Sequence, residues 1–270
     1  YLHAMNNLGL EGLEVRAEDT QRCGIAGTHM AVLAHGEEEH AQDVDLSHAH
    51  AHEHVHERAD ASERAHGRHD RARHHGAHPT DIVATIASLN LPKQVENDAL
   101  AVYDAIADAE AHAHGKPVEQ IHFHEVGSLD AIADVIGFCL LIHLIAPQKI
   151  VCSPIHVGAG SVRCAHGIVP VPAPATAYLL RGIPSYGGSI QGELCTPTGA
   201  ALIRHFAEEF GPQPAMSVEQ VGVGCGAKDF PAANIVRAFV GEAADASESA
   251  ALPNADSDAT DRIVELACNI

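Results

Sequence analysis

A long apolar segment near the middle of the chain places the strongest constraint on the fold. From Val135 to Ile145 almost every residue is apolar, which indicates a helix that is buried on nearly all sides. Gly127 and Ser128 precede it as a turn and a helix N-cap. Gly137 has no side chain, so we expect another part of the protein to approach the helix closely at that point. The core must therefore be built around this helix.

A His-x-His-Glu motif lies directly before the helix. In an extended strand, residues i and i+2 point to the same side, about 6.6–7 Å apart, so His122 and His124 are expected to close on one metal ion. Glu125 follows and adds a hard oxygen ligand. Asp130 and Asp134 are four residues apart and share one face of the helix. Together these five residues form a candidate metal site.

Simpler explanations of the same residues remain open. An aspartate in the first turn of a helix usually complements the helix dipole, for a few tenths to about 1 kcal/mol, and this accounts for Asp130 without a metal. Two histidines on a strand are more often solvated or hydrogen-bonded than joined by a metal. The five residues fall within thirteen positions of the sequence, which favours a site.

The charge and cysteine content narrow the class of protein. The formal net charge is −20, which suits a binder of cations and argues against a nucleic-acid or anionic-membrane surface. The seven cysteines are widely spaced and odd in number, so we predict reduced thiols in a cytoplasmic protein. The longest apolar run is too short to span a bilayer, and no signal peptide is recognisable.

The stretch from His35 to His78 has a different composition from the rest of the chain. It holds twelve of the 22 histidines, with acids and arginines between them and few large apolar residues. Such a segment cannot bury enough surface to order itself, so we predict a disordered loop that binds metal loosely. A low-complexity insert without a role is the alternative. The strictly alternating candidate ligands are His48, His50, His52, His54 and His56.

A second informative stretch runs from Gly192 to Ala201. A strand end leads into a Thr-Pro-Thr-Gly turn and a helix over residues 200–210, with Thr198 as the expected N-cap. Backbone N–H groups at such a helix start can hold phosphate or carboxylate, which makes Thr196, Thr198 and Gly199 candidate ligand-binding residues. Plain helix capping explains the same residues.

Another helix is expected from about Lys93 to His112, followed by His114 and Gly115. Positive charge is stabilised at the C-terminal end of a helix, so a capping role explains His112 and His114. The alternative is that they feed metal toward His122 and His124.

The mixture of strands and helices without regular alternation predicts an α+β fold. We divide the chain into an N-terminal part of the α+β body (residues 1–34), the His-rich loop (35–78) and the main α+β domain (79–241). An acidic linker (242–260) and the first strand of a further domain (261–270) follow. Both ends look cut, so we expect a fragment of a longer protein.

Three long motifs resemble those of the LarC-type nickel insertion proteins and occur in that family's order. They cover residues 122–137, 164–176 and 192–201 and contain His-Phe-His-Glu-Val-Gly-Ser, Cys-Ala-His-Gly-Ile-Val-Pro and Leu-Cys-Thr-Pro-Thr-Gly. The His-rich insert before the first motif is typical of the family, and the resemblance extends over essentially the whole chain. The family's opening segment and its closing, CTP-associated domain are expected to lie outside this sequence, so the fragment need not be active alone.

The resemblance implies a metal-inserting enzyme of the lyase class. Such proteins insert Ni²⁺ into a pyridinium bisthiocarboxylate mononucleotide, forming Ni–S and Ni–C bonds, with hydrolysis of CTP and a divalent metal. The product is the nickel-pincer cofactor of lactate racemase-type enzymes. The implied partner is the mononucleotide, with no nucleic acid and no membrane, and a homo-oligomer is left open.

The resemblance also suggests roles for individual residues. His122, His124 and Glu125 are the expected nickel ligands, with Asp130 and Asp134 in or beside the coordination sphere. Glu125 or His166 would take the ring proton that is lost when the Ni–C bond forms. Thr196, Thr198 and Gly199 would hold the phosphate of the mononucleotide, and Cys164 and Cys195 are either transient soft ligands or small buried thiols.

Two other classes of function fit the sequence. A nickel storage protein or chaperone would bind nickel through the His-rich loop alone, so deleting the loop would abolish all binding. A metal-dependent hydrolase would activate water with His122, His124 and an acid, and would hydrolyse phosphoesters without a thiolated partner.

Overall fold

The fold combines helices with one large mixed sheet, which confirms the α+β prediction. The computed structural model describes residues 1–38, 42–43, 77–243 and 262–268. The candidate ligands His48, His50, His52, His54 and His56 lie outside the described residues.

Six α-helices and two 3₁₀ turns are present within the described residues. The helices are α1 (Leu2–Met5), α2 (Pro79–Ser88), α3 (Lys93–His114), α4 (Leu129–Ile145), α5 (Pro174–Leu179) and α6 (Pro197–Phe206), and the 3₁₀ turns cover Val118–Gln120 and Glu125–Gly127. The predicted helix from Lys93 is confirmed and extends to His114. It ends at Gly115, whose φ of 61° is the left-handed conformation that glycine adopts readily.

Among the residues that the structure describes, the strands form an eight-stranded mixed sheet and three small sheets. In chain order they are β1 (Leu13–Arg22), β2 (Ile25–Ala34), β3 (Glu37–Glu38), β4 (Gln42–Asp43), β5 (Lys149–Cys152), β6 (Ile155–His156), β7 (Gly158–Ala159), β8 (Ser161–Cys164), β9 (Gly167–Pro170), β10 (Ser185–Tyr186), β11 (Gly192–Glu193), β12 (Glu209–Phe210), β13 (Met216–Cys225), β14 (Ile235–Ala243) and β15 (Arg262–Cys268). The large sheet has the order β1-β2-β13-β14-β15-β5-β12, with β3 beside β2. The antiparallel hairpin β8–β9, joined by a turn at residues 165–166, is important for the site.

The core lies where α3 packs against α4, α5 and α6. The first turns of α4 are buried as predicted, with Val135, Ile136 and Cys139 each 0% exposed. The last turn differs from the prediction, since Leu141 and Leu144 are exposed. Because the sequence is apolar on all sides, it predicted burial to the end of the helix, whereas the core ends before the last turn.

The close approach expected at Gly137 is confirmed, and the approaching group is the N-terminal helix. A Cβ added to Gly137 would lie 2.5 Å from Tyr1 Oη and 3.2 Å from Met5 Cε. The glycine therefore allows α1 to pack directly on α4.

Two local predictions are wrong. Residues 122–124 do not form a strand, because only Phe123 makes an isolated antiparallel bridge, to Ala77. The N-cap of α6 is Thr196 and not Thr198, and the helix covers residues 197–206 rather than 200–210. Proline is favoured in the first turn of a helix, so Pro197 belongs inside α6.

The division of the chain into domains stays a prediction. The strand after the acidic segment, β15, pairs antiparallel with β14 and parallel with β5 in the main sheet. No helix in residues 1–38, 77–243 or 262–268 is both long and apolar enough to cross a membrane.

Candidate functional site

Three histidines from separate parts of the chain meet at one end of α3. His114 is the last residue of α3, His124 precedes the 3₁₀ turn Glu125–Gly127, and His166 lies in the β8–β9 turn. The ring centroid of His166 is 4.6 Å from that of His114 and 4.9 Å from that of His124. His166 is thus the central member of the group.

Carboxylates and a thiol surround these rings. Glu110 is one helical turn before His114, and its Oε2 lies 3.5 Å from His114 Nε2. Glu125 Oε1 accepts a hydrogen bond from the backbone N–H of Ala165 at 3.0 Å. Cys164 Sγ is 3.9 Å from His166 Nδ1. We call His114, His124, His166, Glu110, Glu125 and Cys164 together the histidine cluster.

Buried neighbours hold the central segment of this cluster in place. The Phe123 side chain is only 1% exposed, and the Tyr103 hydroxyl donates to the carbonyl of Val126 at 3.2 Å. These contacts fix the backbone on both sides of His124 and Glu125 against α3. The two candidate ligands therefore project from a rigid support into an exposed region.

The environment shifts the pKa of three members of the cluster. Partial desolvation, followed by the neighbouring His114 and His124, lowers the pKa of His166 below its ordinary value, which favours its neutral form. Burial raises the pKa of Glu110, against the opposing effects of His114 and His124. Partial burial also raises the pKa of the Cys164 thiol, and nearby carboxylates add to this effect.

The arrangement is a set of neighbouring donors rather than a closed coordination sphere. Within the part of the chain that the structure describes, no three His, Cys, Asp or Glu side chains converge tightly enough to hold a metal ion as they stand. The rings of the histidine cluster touch each other in pairs. They would have to turn about their side-chain torsions to aim their nitrogens at one ion.

The structure separates His122 from His124. The His122 ring lies against His78, with 4.1 Å between ring centroids, whereas the His124 ring lies against His166. The backbone of His124 has φ −92° and ψ −89°, which is not extended. The rule that residues i and i+2 point to the same side does not apply to this conformation.

Asp130 and Asp134 have neighbours other than the three histidine rings. The Ser128 hydroxyl donates to Asp130 at the start of α4. Asp134 lines a pocket of about 300 Å³ together with Thr196, Thr198 and Gly199. The structure thus groups Asp134 with the predicted phosphate-binding residues.

This pocket, which we call the α6 pocket, has polar lining residues from α4 and from the start of α6 among mostly apolar ones. The apolar lining includes Met5, Val32 and Phe138. The backbone N–H of Gly199 donates to Thr196 Oγ1 at 3.2 Å, so an anion at this end of α6 would have to share or displace that bond. The pocket can therefore hold a molecule that has both an apolar part and a polar group.

The walls of the α6 pocket change the acidity of two residues in it. Asp134 is exposed through the pocket, yet desolvation by the surrounding protein, followed by Asp130 and Glu38, raises the pKa of its carboxyl to about 6. Desolvation and the proximity of Asp134 raise the pKa of the Tyr1 hydroxyl to about 12. Asp134 therefore exchanges its proton close to neutral pH.

The sequence analysis did not single out Glu110, placed His78 only within the loosely metal-binding His-rich loop and left the role of His114 undecided. The spacing of Glu110 and His114, four residues apart at the end of a helix, was the available signal for the first. No local signal pairs His78 with His122, because the contact depends on a single backbone bridge between distant segments. Of the two soft ligands considered, Cys195 is buried and Cys164 is partly exposed beside His166.

Comparisons with known proteins point to one family. The model of a family described as "Nickel insertion protein" matches residues 1–270. A protein named pyridinium-3,5-bisthiocarboxylic acid mononucleotide nickel insertion protein, from Desulfitobacterium hafniense, is 49% identical over 168 residues, which is 62% of this chain and 42% of the relative. A protein of the same name from a Nocardioides species is 51% identical over 168 residues, with the same coverage of 62% and 42%.

A third relative, a putative nickel insertion protein from a Cyanothece species, is 41% identical over 213 residues, covering 77% of this chain and 50% of the relative. The chain thus spans half or less of the length of these curated relatives. No solved structure matches it.

Proposed function

The chain belongs to the nickel insertion protein family, and we propose that it inserts Ni²⁺ into pyridinium-3,5-bisthiocarboxylic acid mononucleotide, the molecule in the names of its relatives. The observation that carries this proposal is the histidine cluster, in which His114, His124 and His166 meet beside two carboxylates and a thiol. Nickel is the substrate of this reaction and is held only until it is transferred.

The composition of the histidine cluster suits nickel. Imidazole is a good ligand for Ni²⁺, and carboxylate oxygens and a thiol add exchangeable donors. A metal-binding imidazole must be neutral, and the lowered pKa of His166 favours that form. Because the three histidines are exposed, the ion can leave toward the thiocarboxylate sulfurs of a bound mononucleotide.

Formation of a Ni–C bond releases a proton from the pyridinium ring, so the reaction needs a base. Glu125 and His166 are the two candidates predicted from the sequence. We assign the base to Glu125, because His166 lies between two other imidazoles and is better placed as a ligand. The Ala165 N–H holds one oxygen of the Glu125 carboxylate and thereby orients the side chain.

The α6 pocket is the proposed site for the mononucleotide. Its phosphate would lie at the N-terminal end of α6, near Thr196, Thr198 and Gly199, where helix dipole and backbone N–H groups favour an anion. Phe138 offers an aromatic surface to a planar ring. The ionised Asp134 carboxylate complements the positive charge of a pyridinium.

We retain Asp130 only as a neighbour that tunes Asp134, since the two carboxyls interact. His122 belongs to a separate pair of histidines. The proposal also includes a nickel-pincer product for lactate racemase-type enzymes, hydrolysis of CTP with a divalent metal, and a cytoplasmic setting. None of the residues named above is assigned to CTP.

A nickel-transfer assay tests the proposal. The purified chain is incubated with the mononucleotide, Ni²⁺, CTP and Mg²⁺, and mass spectrometry detects the nickel-bearing product. We expect product with the wild-type chain and at least tenfold less with the double variant His124→Asn/His166→Asn. His143→Asn, which changes an exposed histidine near the end of α4, is the control and should behave like wild type. Equal amounts of product from the wild-type chain and the double variant would overturn the proposal. If the wild-type chain forms no product because turnover needs segments outside this sequence, Ni²⁺ binding is measured instead, and unchanged Ni²⁺ affinity in the double variant would overturn the proposal.

A further inference from the structure

Two exposed histidines form a pair outside the histidine cluster. The rings of His78 and His122 have centroids 4.1 Å apart and planes inclined at 52°. Both side chains are exposed, so solvent and ions reach them directly. The functional assignment above uses neither residue.

Ordered backbone holds the two rings together. Ala77 and Phe123 form an antiparallel bridge, in which the Phe123 N–H donates to the Ala77 carbonyl at 2.8 Å. In an antiparallel pair, the residue after one partner faces the residue before the other, which places His78 opposite His122. The buried Phe123 side chain anchors one segment.

The second segment is fixed by the start of α2. His78 is the N-cap of this helix, and its backbone N–H donates to Asp81 Oδ2 at 3.0 Å. The two imidazoles are therefore presented on supports that are already in place, which lowers the entropy lost when an ion binds between them.

We propose that His78 and His122 form a second Ni²⁺ site, separate from the histidine cluster, with water completing the coordination sphere. The role of this site in nickel supply rests on the proposed function, but the binding itself does not. Two imidazoles suit Ni²⁺ and its first-row neighbours. With fewer protein ligands than the cluster, the pair is expected to bind more weakly and to release the ion readily.

The position of the pair favours exchange with the histidine cluster. His78 is the last histidine of the His-rich stretch, and His122 is separated from His124 by one residue. Two Cα–Cα steps of 3.80 Å place the Cα atoms of His122 and His124 at most about 7.6 Å apart. The pair and the cluster therefore share one short segment of backbone, although their rings lie against different partners.

The test uses residues 1–270 with the ten histidines of residues 39–76 replaced by Asn, which removes their background binding. This parent is compared with His78→Asn/His122→Asn, with His124→Asn/His166→Asn and with the control His143→Asn. Calorimetric titration with Ni²⁺ alone gives stoichiometry and affinity, and pulsed electron paramagnetic resonance with Cu²⁺ as a probe counts coordinated imidazoles.

We expect two classes of Ni²⁺ site in the parent. In the His78→Asn/His122→Asn variant, the weaker Ni²⁺ site should lose at least tenfold in affinity, and the tighter site should be unchanged. In the cluster variant, the tighter site should lose affinity and the weaker site should be unchanged. The Cu²⁺ signal of the cluster variant should report two imidazoles on one ion.

Unchanged binding in the His78→Asn/His122→Asn variant would overturn the inference, as would loss of one shared equivalent in both double variants. If that variant does not fold, by circular dichroism, His122→Asn alone replaces it, because this exposed ring caps no helix. The titrations contain no mononucleotide, so failure of nickel transfer leaves them valid. Conversely, if nickel transfer occurs but the titrations find no Ni²⁺ site at His78 and His122, only this inference is refuted.

Discussion

The Glu125 carboxylate is bonded to the backbone N–H of Ala165, at 3.0 Å, and this contact joins two segments that are 40 residues apart. One segment carries His124 and leads into α4, and the other carries Cys164 and His166 in the β8–β9 turn. The contact therefore does more than orient one acid. It sets how the turn that holds the central histidine lies against the segment that holds its neighbour.

Replacing Glu125 with Ala should weaken nickel binding to the histidine cluster by about 10- to 100-fold, a typical cost of removing a group that ligates a metal or orients its ligands. Both the charge and the bond to Ala165 are lost in this variant. Calorimetric titration with Ni²⁺ of the chain that lacks the histidines of residues 39–76 measures the effect.

Glu125→Gln separates the two roles of this side chain. The amide oxygen can still accept from Ala165, so the turn should stay docked while the negative charge is lost. If the charge matters, the Gln variant binds nickel nearly as weakly as the Ala variant. Glu119→Ala, at an exposed position in the preceding 3₁₀ turn, is the matched control and should leave the affinity within about twofold of wild type, as expected for a surface change. Equal affinity in all four proteins would remove Glu125 from the site.

Thr196 and Thr198 should have different effects when changed. Thr196 caps α6 through its hydroxyl, so Thr196→Ala should lower the free energy of unfolding by about 1 kcal/mol. Thr198 lines the α6 pocket without being the N-cap, so Thr198→Ala should leave the stability within about 0.5 kcal/mol. Urea unfolding followed by circular dichroism measures both values.

Binding of the mononucleotide then tests whether Thr198 is a ligand-binding residue. Loss of one hydrogen bond to a charged group corresponds to about 1.5–3 kcal/mol, which is roughly 10- to 150-fold in affinity. Thr198→Ala should weaken mononucleotide binding by that amount at unchanged stability. Wild-type affinity in the Thr198→Ala variant would place the phosphate elsewhere.

Some of these features could be predicted from the sequence because they depend on local chemistry. The apolar run of α4 and the N-cap at Ser128 depend on neighbouring residues, and the structure has both. The Thr-Pro-Thr-Gly turn was placed at the start of a helix, but its cap was assigned two residues too late, since Pro197 fits the first turn of that helix.

The composition of the candidate site could not be predicted in the same way. The proposed pairing of His122 with His124 assumed an extended backbone, whereas His124 adopts φ −92° and ψ −89° and turns toward His166. His114 and His166 approach it from a helix end and a hairpin turn that are more than 40 residues apart. Such contacts depend on tertiary packing and cannot be predicted from residue spacing.

Gly137→Ala should destabilise the protein even though alanine is the better helix former. The new Cβ would lie 2.5 Å from Tyr1 Oη, and overpacking of this kind costs about 1–3 kcal/mol, against a gain of about 1 kcal/mol in helix propensity. We expect a net loss of up to about 2 kcal/mol in urea unfolding, where the Ala variant is compared with wild type.

A second substitution shows whether the contact with Tyr1 is the cause. Tyr1→Phe removes the hydroxyl that the new Cβ would meet, so Tyr1→Phe/Gly137→Ala should recover part of the stability that Gly137→Ala loses. The Met5 contact at 3.2 Å remains in the double variant, which limits the recovery. Purely additive effects of the two substitutions would mean that α1 does not pack on α4 at this point.

Asp134 should make the protein less stable as the pH rises from about 4 to 6. The pKa of its carboxyl is about 6 in the fold and 3.8 ordinarily, because of desolvation first and then Asp130 and Glu38, with His29 opposing. Between these values the folded state binds more protons than the unfolded state, so the free energy of unfolding falls with rising pH. Above pH 6 the full cost of the charged carboxylate is present.

Asp134→Asn removes this titration and should therefore raise Tm at pH 7.5 but not at pH 3.5. Because Asp134 is exposed through the pocket, solvent screening limits the gain to about 1 kcal/mol or less, which is about 2–4 °C or less for a chain of this size. Thermal unfolding of both proteins across this pH range measures the difference, with Asp104→Asn, at an exposed position on α3, as the control. A constant difference in Tm at all pH values would show that Asp134 does not titrate differently in the folded protein. A gain confined to neutral pH would instead identify the α6 pocket as a place where a carboxylate is held at a cost, as expected for a group that serves a positively charged ligand.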